Sequence, residues 1–134
     1  VPARRAGWGY LGVDRDPEFV ALLRARFPGL EFAVGDVAQL ADLLAARPSL
    51  RPSAFVCGLP LVAMPAPVVD ALLGTAAARL PAGGVFRTFS YVHTMLNPAS
   101  WRLRRRMRAT FREFAVRGPV VRNAPPALVF EGRM

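Results

Sequence analysis

Two carboxylates stand where this sequence could do chemistry. Asp14 and Asp36 each follow a short apolar run, Tyr10 to Val13 and Leu30 to Val34. Runs of that length read as strands, and a carboxylate just beyond a strand of an open α/β sheet lies at the edge where ligands bind. One carboxylate accepts from both hydroxyls of a vicinal diol, which makes a ribose a natural ligand. Each aspartate also has a plainer use. Asp14 could simply end a strand, and Asp36 could be only the N-cap of a helix beginning at Val37. On the bare pattern both uses stay open. Metal chemistry has little to work with, because Cys57 and His93 are the only residues of their kinds and a site needs more soft ligands than that.

The elements that must position the two carboxylates follow from periodicity. Asp16-Pro17-Glu18 starts a helix: Asp as N-cap, Pro at the first helical position, Glu favourable at the positive end of the helix dipole. Phe19, Val20, Leu23 and Phe27 recur at helical spacing and predict one apolar face, and Pro28-Gly29 stops it. Leu30, Phe32 and Val34 alternate as a second strand, so Gly9 to Asp36 reads as a parallel βαβ unit. An apolar helix is expected over 37–46, then a proline-bearing loop over 47–53. Ala54 to Cys57 is wholly apolar and predicts a strand buried on both faces. It opens into Gly58-Leu59-Pro60. A proline-started helix from Pro65 to about Leu80 follows, then Pro81-Ala82-Gly83-Gly84, then a strand from Val85 to Tyr91. His93 to Pro98 reads as a loop and about Ser100 to Thr110 as a very basic helix. Two last strands, near Phe111 to Val121 and Ala127 to Glu131, flank Arg122-Asn123-Ala124-Pro125-Pro126.

Composition bounds the function classes. The 134 residues make one domain with a real core, and 53% of them are hydrophobic without any run long enough to span a membrane. The N-terminus VPARRAGWGY carries no apolar signal region. A single cysteine permits no intrachain disulfide, which fits a reducing cytosol. All 18 basic residues are arginine, and the formal charge of +9 points to an anionic partner, a membrane surface or a nucleic acid.

The order strand, CGLP, proline-started helix, LPAGGVF and aromatic strand resembles class I S-adenosylmethionine-dependent methyltransferases. CGLPLVAMP, FRTFSYVH and VVRNAPPALVFEGR together resemble the bacterial phospholipid N-methyltransferase type, itself similar to ribosomal RNA adenine dimethylases. The resemblance covers nearly the whole chain. It departs at Cys57, where a small hydroxylic residue is expected, and at His93, where proline is expected. It implies a Rossmann-like α/β sheet with an antiparallel C-terminal hairpin. It also implies S-adenosyl-L-methionine as cofactor, held by Asp14 on the ribose with Arg15 beside it, Asp36 on the adenine amine and Val37 on the adenine ring. The acceptor nitrogen would approach Gly58-Leu59-Pro60, whose carbonyls would orient it, with Tyr91 as a nearby base or as a ring facing the methylated cation. His93, a lone histidine in a loop, reads as a surface residue. Because sulfonium is already an excellent leaving group, the protein mainly aligns an in-line attack and excludes water.

The substrate implied is a phospholipid head group such as phosphatidylethanolamine. The basic stretch Arg102–Arg112 would touch an anionic membrane surface, peripheral to the inner face of the cell membrane. Within it Leu103, Met107, Phe111 and Phe114 form one stripe. That stripe either rests on lipid or packs the helix on the sheet. Methylation of RNA adenine is the weaker alternative, because the Gly58-Leu59-Pro60-Leu61 turn lacks an aromatic residue for stacking. A non-catalytic, membrane-binding remnant of the fold is a third reading. Val1 to Gly9 lacks the apolar strand and Gly-rich loop with which such methyltransferases open. The expectation is therefore an N-terminally truncated domain that on its own binds cofactor weakly or not at all, is poorly stable and transfers no methyl group, and whose strands at Tyr10–Val13 and Ala54–Cys57 lack a shared neighbour.

Overall fold

The computed structural model describes residues 9–134. The expectations placed on Val1 to Trp8, including the missing strand and Gly-rich loop, lie outside the described residues. The chain divides into two compact units, with the boundary after Arg51.

In the first unit, β1 (Leu11–Asp14), α1 (Pro17–Arg26) and β2 (Glu31–Val34) form the expected βαβ unit. The strands are parallel, with Leu11 opposite Glu31 and Asp14 opposite Val34. α1 starts as the sequence predicts: Asp16 Oδ1 accepts from the backbone N–H of Glu18 (2.9 Å) and Phe19 (3.2 Å), and Pro17 takes the first helical position. Its apolar face is narrower than the periodicity implies. Val20 is buried, Leu23 and Phe27 are half-buried, and Phe19 is exposed. A two-stranded layer is too narrow to cover four large side chains. Val34, expected on the face of Phe32, is also exposed because it sits at the open end of the strand, while Phe32 and Ala33 are buried. The helix expected over 37–46 begins instead as a 3-10 turn, Val37–Gln39, and continues as α2 (Leu40–Ala45).

The second unit holds β3 (Ala54–Val56), α3 (Ala66–Arg79), β4 (Val85–Tyr91), α4 (Pro98–Thr110), β5 (Glu113–Val120) and β6 (Ala127–Arg133). The sheet order is β3-β4-β6-β5; β3 and β4 run parallel, and β6 pairs antiparallel with both β4 and β5. The C-terminal hairpin is thus present. The expectation that residues 54–57 are buried on both faces is wrong: Val56 is 83% exposed. β3 is an edge strand of three residues whose only strand partner among the described residues is β4. Among the described residues β1 likewise pairs only with β2.

α3 buries Val69, Leu72, Leu73 and Ala76, an i, i+3, i+4, i+7 stripe. After it, Gly83 adopts φ +77, a conformation only glycine takes easily, and its N–H donates to the Met134 carbonyl (2.7 Å). That closure ties the end of β6 to the turn before β4, and β6 runs two residues beyond the expected Glu131. α4 also starts two residues early. Asn97 Oδ1 accepts from Ala99 N–H (2.8 Å) and Pro98 occupies the first position, so Asn-Pro sets the start rather than Ser100. Part of the loop before it, Val92–Thr94, is a 3-10 turn. The stripe of α4 packs inward: Leu103 and Met107 are buried, as is Phe111 just beyond the helix, which stacks on Phe86 at 5.6 Å between ring centres. Phe114 has left the helix for β5 and meets Phe130 edge-on. Of the two uses open to this stripe, packing on the sheet is the one the structure adopts.

Candidate functional site

The first unit presents its two aspartates beyond the carboxyl ends of neighbouring parallel strands. Asp14 is the last residue of β1, and its carbonyl accepts from Gly35 N–H (2.9 Å), locking the two strand ends together. Its Oδ1 accepts from Asp16 N–H (2.9 Å). Asp36 caps the following 3-10 turn: Oδ1 accepts from Ala38 N–H (2.9 Å), while Asp36 N–H donates to Gln39 Oε1 (2.9 Å). The capping role of Asp36 is therefore real. Both aspartates accept through Oδ1, and among the described residues Oδ2 of each has no hydrogen-bond partner. Arg15 is exposed between Asp14 and Asp16, and Val37 is half-buried beside Asp36. The four residues are thus gathered at one strand edge, with two carboxylate oxygens that no described residue engages.

The second unit carries the other candidates. Gly58, Leu59 and Pro60 form an exposed turn one residue after β3. The Leu59 carbonyl accepts from Leu61 N–H (2.9 Å), leaving it one lone pair; the Gly58 carbonyl accepts nothing among the described residues. A side chain added at Gly58 would point into open space, so a ligand has room to approach the backbone there. Beside this turn lies a small open pocket walled by Leu61, Met64, Val69 and Leu103 and rimmed by Arg102 and Arg106. Arg106 is held by Asp70 at 2.6 Å.

Tyr91 ends β4, half-buried. It meets Phe89 edge-on (5.4 Å) and stacks on His93 (5.6 Å, interplanar 11°). The exposed His93, read from sequence as a bare surface residue, thus covers one face of the Tyr91 ring, a contact that helical or strand periodicity does not announce. Cys57, between β3 and the turn, is half-buried. Burial pushes its thiol pKa up, and the Leu59 N–H and the Thr88 hydroxyl pull it partly back. Thr88 Oγ1 makes no well-formed hydrogen bond despite its burial.

No family model and no curated protein sequence matches the chain. Solved structures do. The chain superposes on a protein of Thermobifida fusca YX assigned as a methyltransferase with a TM-score of 0.62 and 22% identity, covering 93% of this chain and 62% of that one. The N-methyltransferase NodS of Bradyrhizobium japonicum WM9 gives 0.63 and 13%, with 93% and 72% covered. A TehB-like S-adenosylmethionine-dependent methyltransferase of Corynebacterium glutamicum gives 0.61 and 15%, with 93% and 67% covered. The fold is that of the class I methyltransferases. This chain spans less than two thirds of the Thermobifida protein.

Within this methyltransferase fold, one functional-looking cluster escaped the sequence reading. Glu131, on β6, is 2% exposed and is held by Arg87 (2.8 Å), Arg133 (3.0 Å) and Arg117 (3.2 Å). Burial alone would raise its carboxyl pKa; the three guanidiniums outweigh that and hold it at about 2. Arg87 stands directly opposite Glu131 across β4–β6. The only hint in sequence was a carboxylate in an apolar strand, ALVFEGR. Among the described residues, no group of three His, Cys, Asp or Glu side chains is placed to hold a metal ion, and no helix is long and apolar enough to cross a membrane.

Proposed function

We propose that this protein is an S-adenosylmethionine-dependent methyltransferase acting on the amine of a phospholipid head group such as phosphatidylethanolamine. The observation that carries the cofactor is the pair of Oδ2 atoms on Asp14 and Asp36 that have no hydrogen-bond partner among the described residues, at the ends of adjacent parallel strands in a methyltransferase fold. Such a pair fits a ligand that offers a vicinal diol and an exocyclic amine a short distance apart. In this reading Asp14 accepts from the ribose, Asp36 from the adenine amine, Val37 packs on the base and Arg15 flanks the site. The cofactor supplies an activated methyl group on sulfonium. The chain's own task is orientation and exclusion of water.

For the acceptor, the open carbonyl of Gly58 and the remaining lone pair of Leu59 would hold an amine by its N–H groups, with Pro60 setting the turn. Support for a phosphorylated head group comes from the neighbouring small pocket, whose rim carries Arg102 and Arg106. Tyr91, with His93 on one ring face, would stand by the cationic product. The place of work would be the cytoplasmic face of the membrane, touched peripherally. The protein, expressed from its native gene, is to be incubated with methyl-labelled cofactor, total lipid and total RNA. Label recovered as a methylated aminolipid is the expected result. Label in RNA alone would overturn the acceptor, and label in neither fraction would leave only a binding protein.

A further inference from the structure

The inward packing of Leu103, Met107 and Phe111 leaves the opposite face of α4 to be explained. At 100° per residue that face is Trp101, Arg105 and Arg108. α4, PASWRLRRRMRAT, contains no acidic residue. Two of its arginines are used inside the protein: Arg104 donates to the Met95 carbonyl (3.0 Å) and leans over the Trp101 ring, and Arg106 is bound to Asp70. Arg102, Arg105, Arg108 and the following Arg112 are exposed and have no ion-pair partner among the described residues. On that face Trp101 is 69% exposed, and just before the helix Leu96 is 93% exposed.

We propose that the outer face of α4 docks on an anionic lipid surface, with Leu96 and Trp101 entering the head-group layer and Arg105 and Arg108 lying along the phosphates. This extends the lipid reading of the function and exchanges the face expected from sequence for its opposite. Charge complementarity sets the sign of the partner. The exposed leucine sets its class: an aliphatic side chain gains nothing from a phosphate backbone and has no ring for a base to stack on. It does gain from leaving water for an acyl boundary, and tryptophan favours that same depth.

Trp101 reports its own environment. In a Trp8→Phe variant of the 134-residue chain it is the only tryptophan, and its emission is read with vesicles of phosphatidylcholine alone or with phosphatidylglycerol. The expected result is a blue shift with the anionic vesicles only, quenched when brominated acyl chains are included. Joint Arg105→Glu and Arg108→Glu replacement should weaken that binding about tenfold or more, with only a small fall in melting temperature, because both residues are exposed and the internal contact given up is that of Arg108 over the Phe114 ring (5.0 Å). Leu96→Ser should shrink the shift at high salt, where charge is screened. No shift, or an equal shift with neutral vesicles, would overturn the proposal. So would binding to single-stranded RNA that leaves Trp101 unresponsive to vesicles. The readout needs no turnover. A protein that docks on vesicles but methylates RNA would therefore refute the acceptor and spare this surface.

Discussion

Replacing Glu131 with Gln keeps the shape and removes one charge from beneath three guanidiniums. The carboxyl sits at about 2 against an ordinary 4.5, which by the linkage between pKa and stability corresponds to roughly 3 kcal/mol as an upper limit. The arginine side chains are between 40% and 61% exposed, so water screens part of it and about 1–3 kcal/mol is the expected loss near neutral pH. The folded pKa is depressed, so this stability is present above the unfolded value and is lost as pH falls from 4.5 toward 2. Urea unfolding of the wild type and of Glu131→Gln, repeated from about pH 7 down to about pH 3, therefore has a defined course: a large gap that narrows with acid. Glu131→Ala should cost more, because it also leaves Arg87, Arg117 and Arg133 facing one another around a hole. A gap of zero at neutral pH, or one that does not change with pH, would refute the argument that the arginine cluster is a net stabiliser.

Asp14→Ala should weaken S-adenosylmethionine binding by about 1.5–3 kcal/mol, the loss of one charge-assisted hydrogen bond; unchanged affinity by calorimetry would remove Asp14 from the cofactor site. Asp36→Asn keeps an N-cap and should leave the melting temperature nearly unchanged while weakening the cofactor. Asp36→Ala should also cost about 1 kcal/mol of stability, measured by unfolding, because the Ala38 N–H loses its acceptor. Gly132→Ala would drive a methyl group into the Phe111 ring and should destabilise by about 1–3 kcal/mol; a neutral result in thermal melting would mean the ring moves aside freely. Cys57, whose pKa burial pushes up, should be alkylated by iodoacetamide more slowly at neutral pH than a free cysteine and should speed up in alkali; rapid labelling at neutral pH would contradict the burial.

The local rules of the chain were legible before any coordinates. Asp16-Pro17-Glu18 started α1 where capping chemistry required it, the 3.6-residue stripe of α3 was buried as its spacing implied, and the parallel β1–β2 register placed Asp14 and Asp36 at one edge. The start of α4 shifted because a second local signal, Asn97-Pro98, competed with Ser100. Tertiary structure decided what local pattern is blind to. Apolar composition made residues 54–57 look doubly buried, but burial depends on neighbours, and β3 lies at the sheet edge. A stripe of Leu103, Met107 and Phe111 shows that α4 has two faces without showing which one meets the sheet. Glu131 and its three arginines come from three strands, and Arg87 is 44 residues away along the chain. The sequence alone therefore settles what depends on residues within a few positions of one another, such as caps, periods and turns. Edges, the direction of a face and charge clusters arise from pairing between distant segments, and only the folded chain determines them.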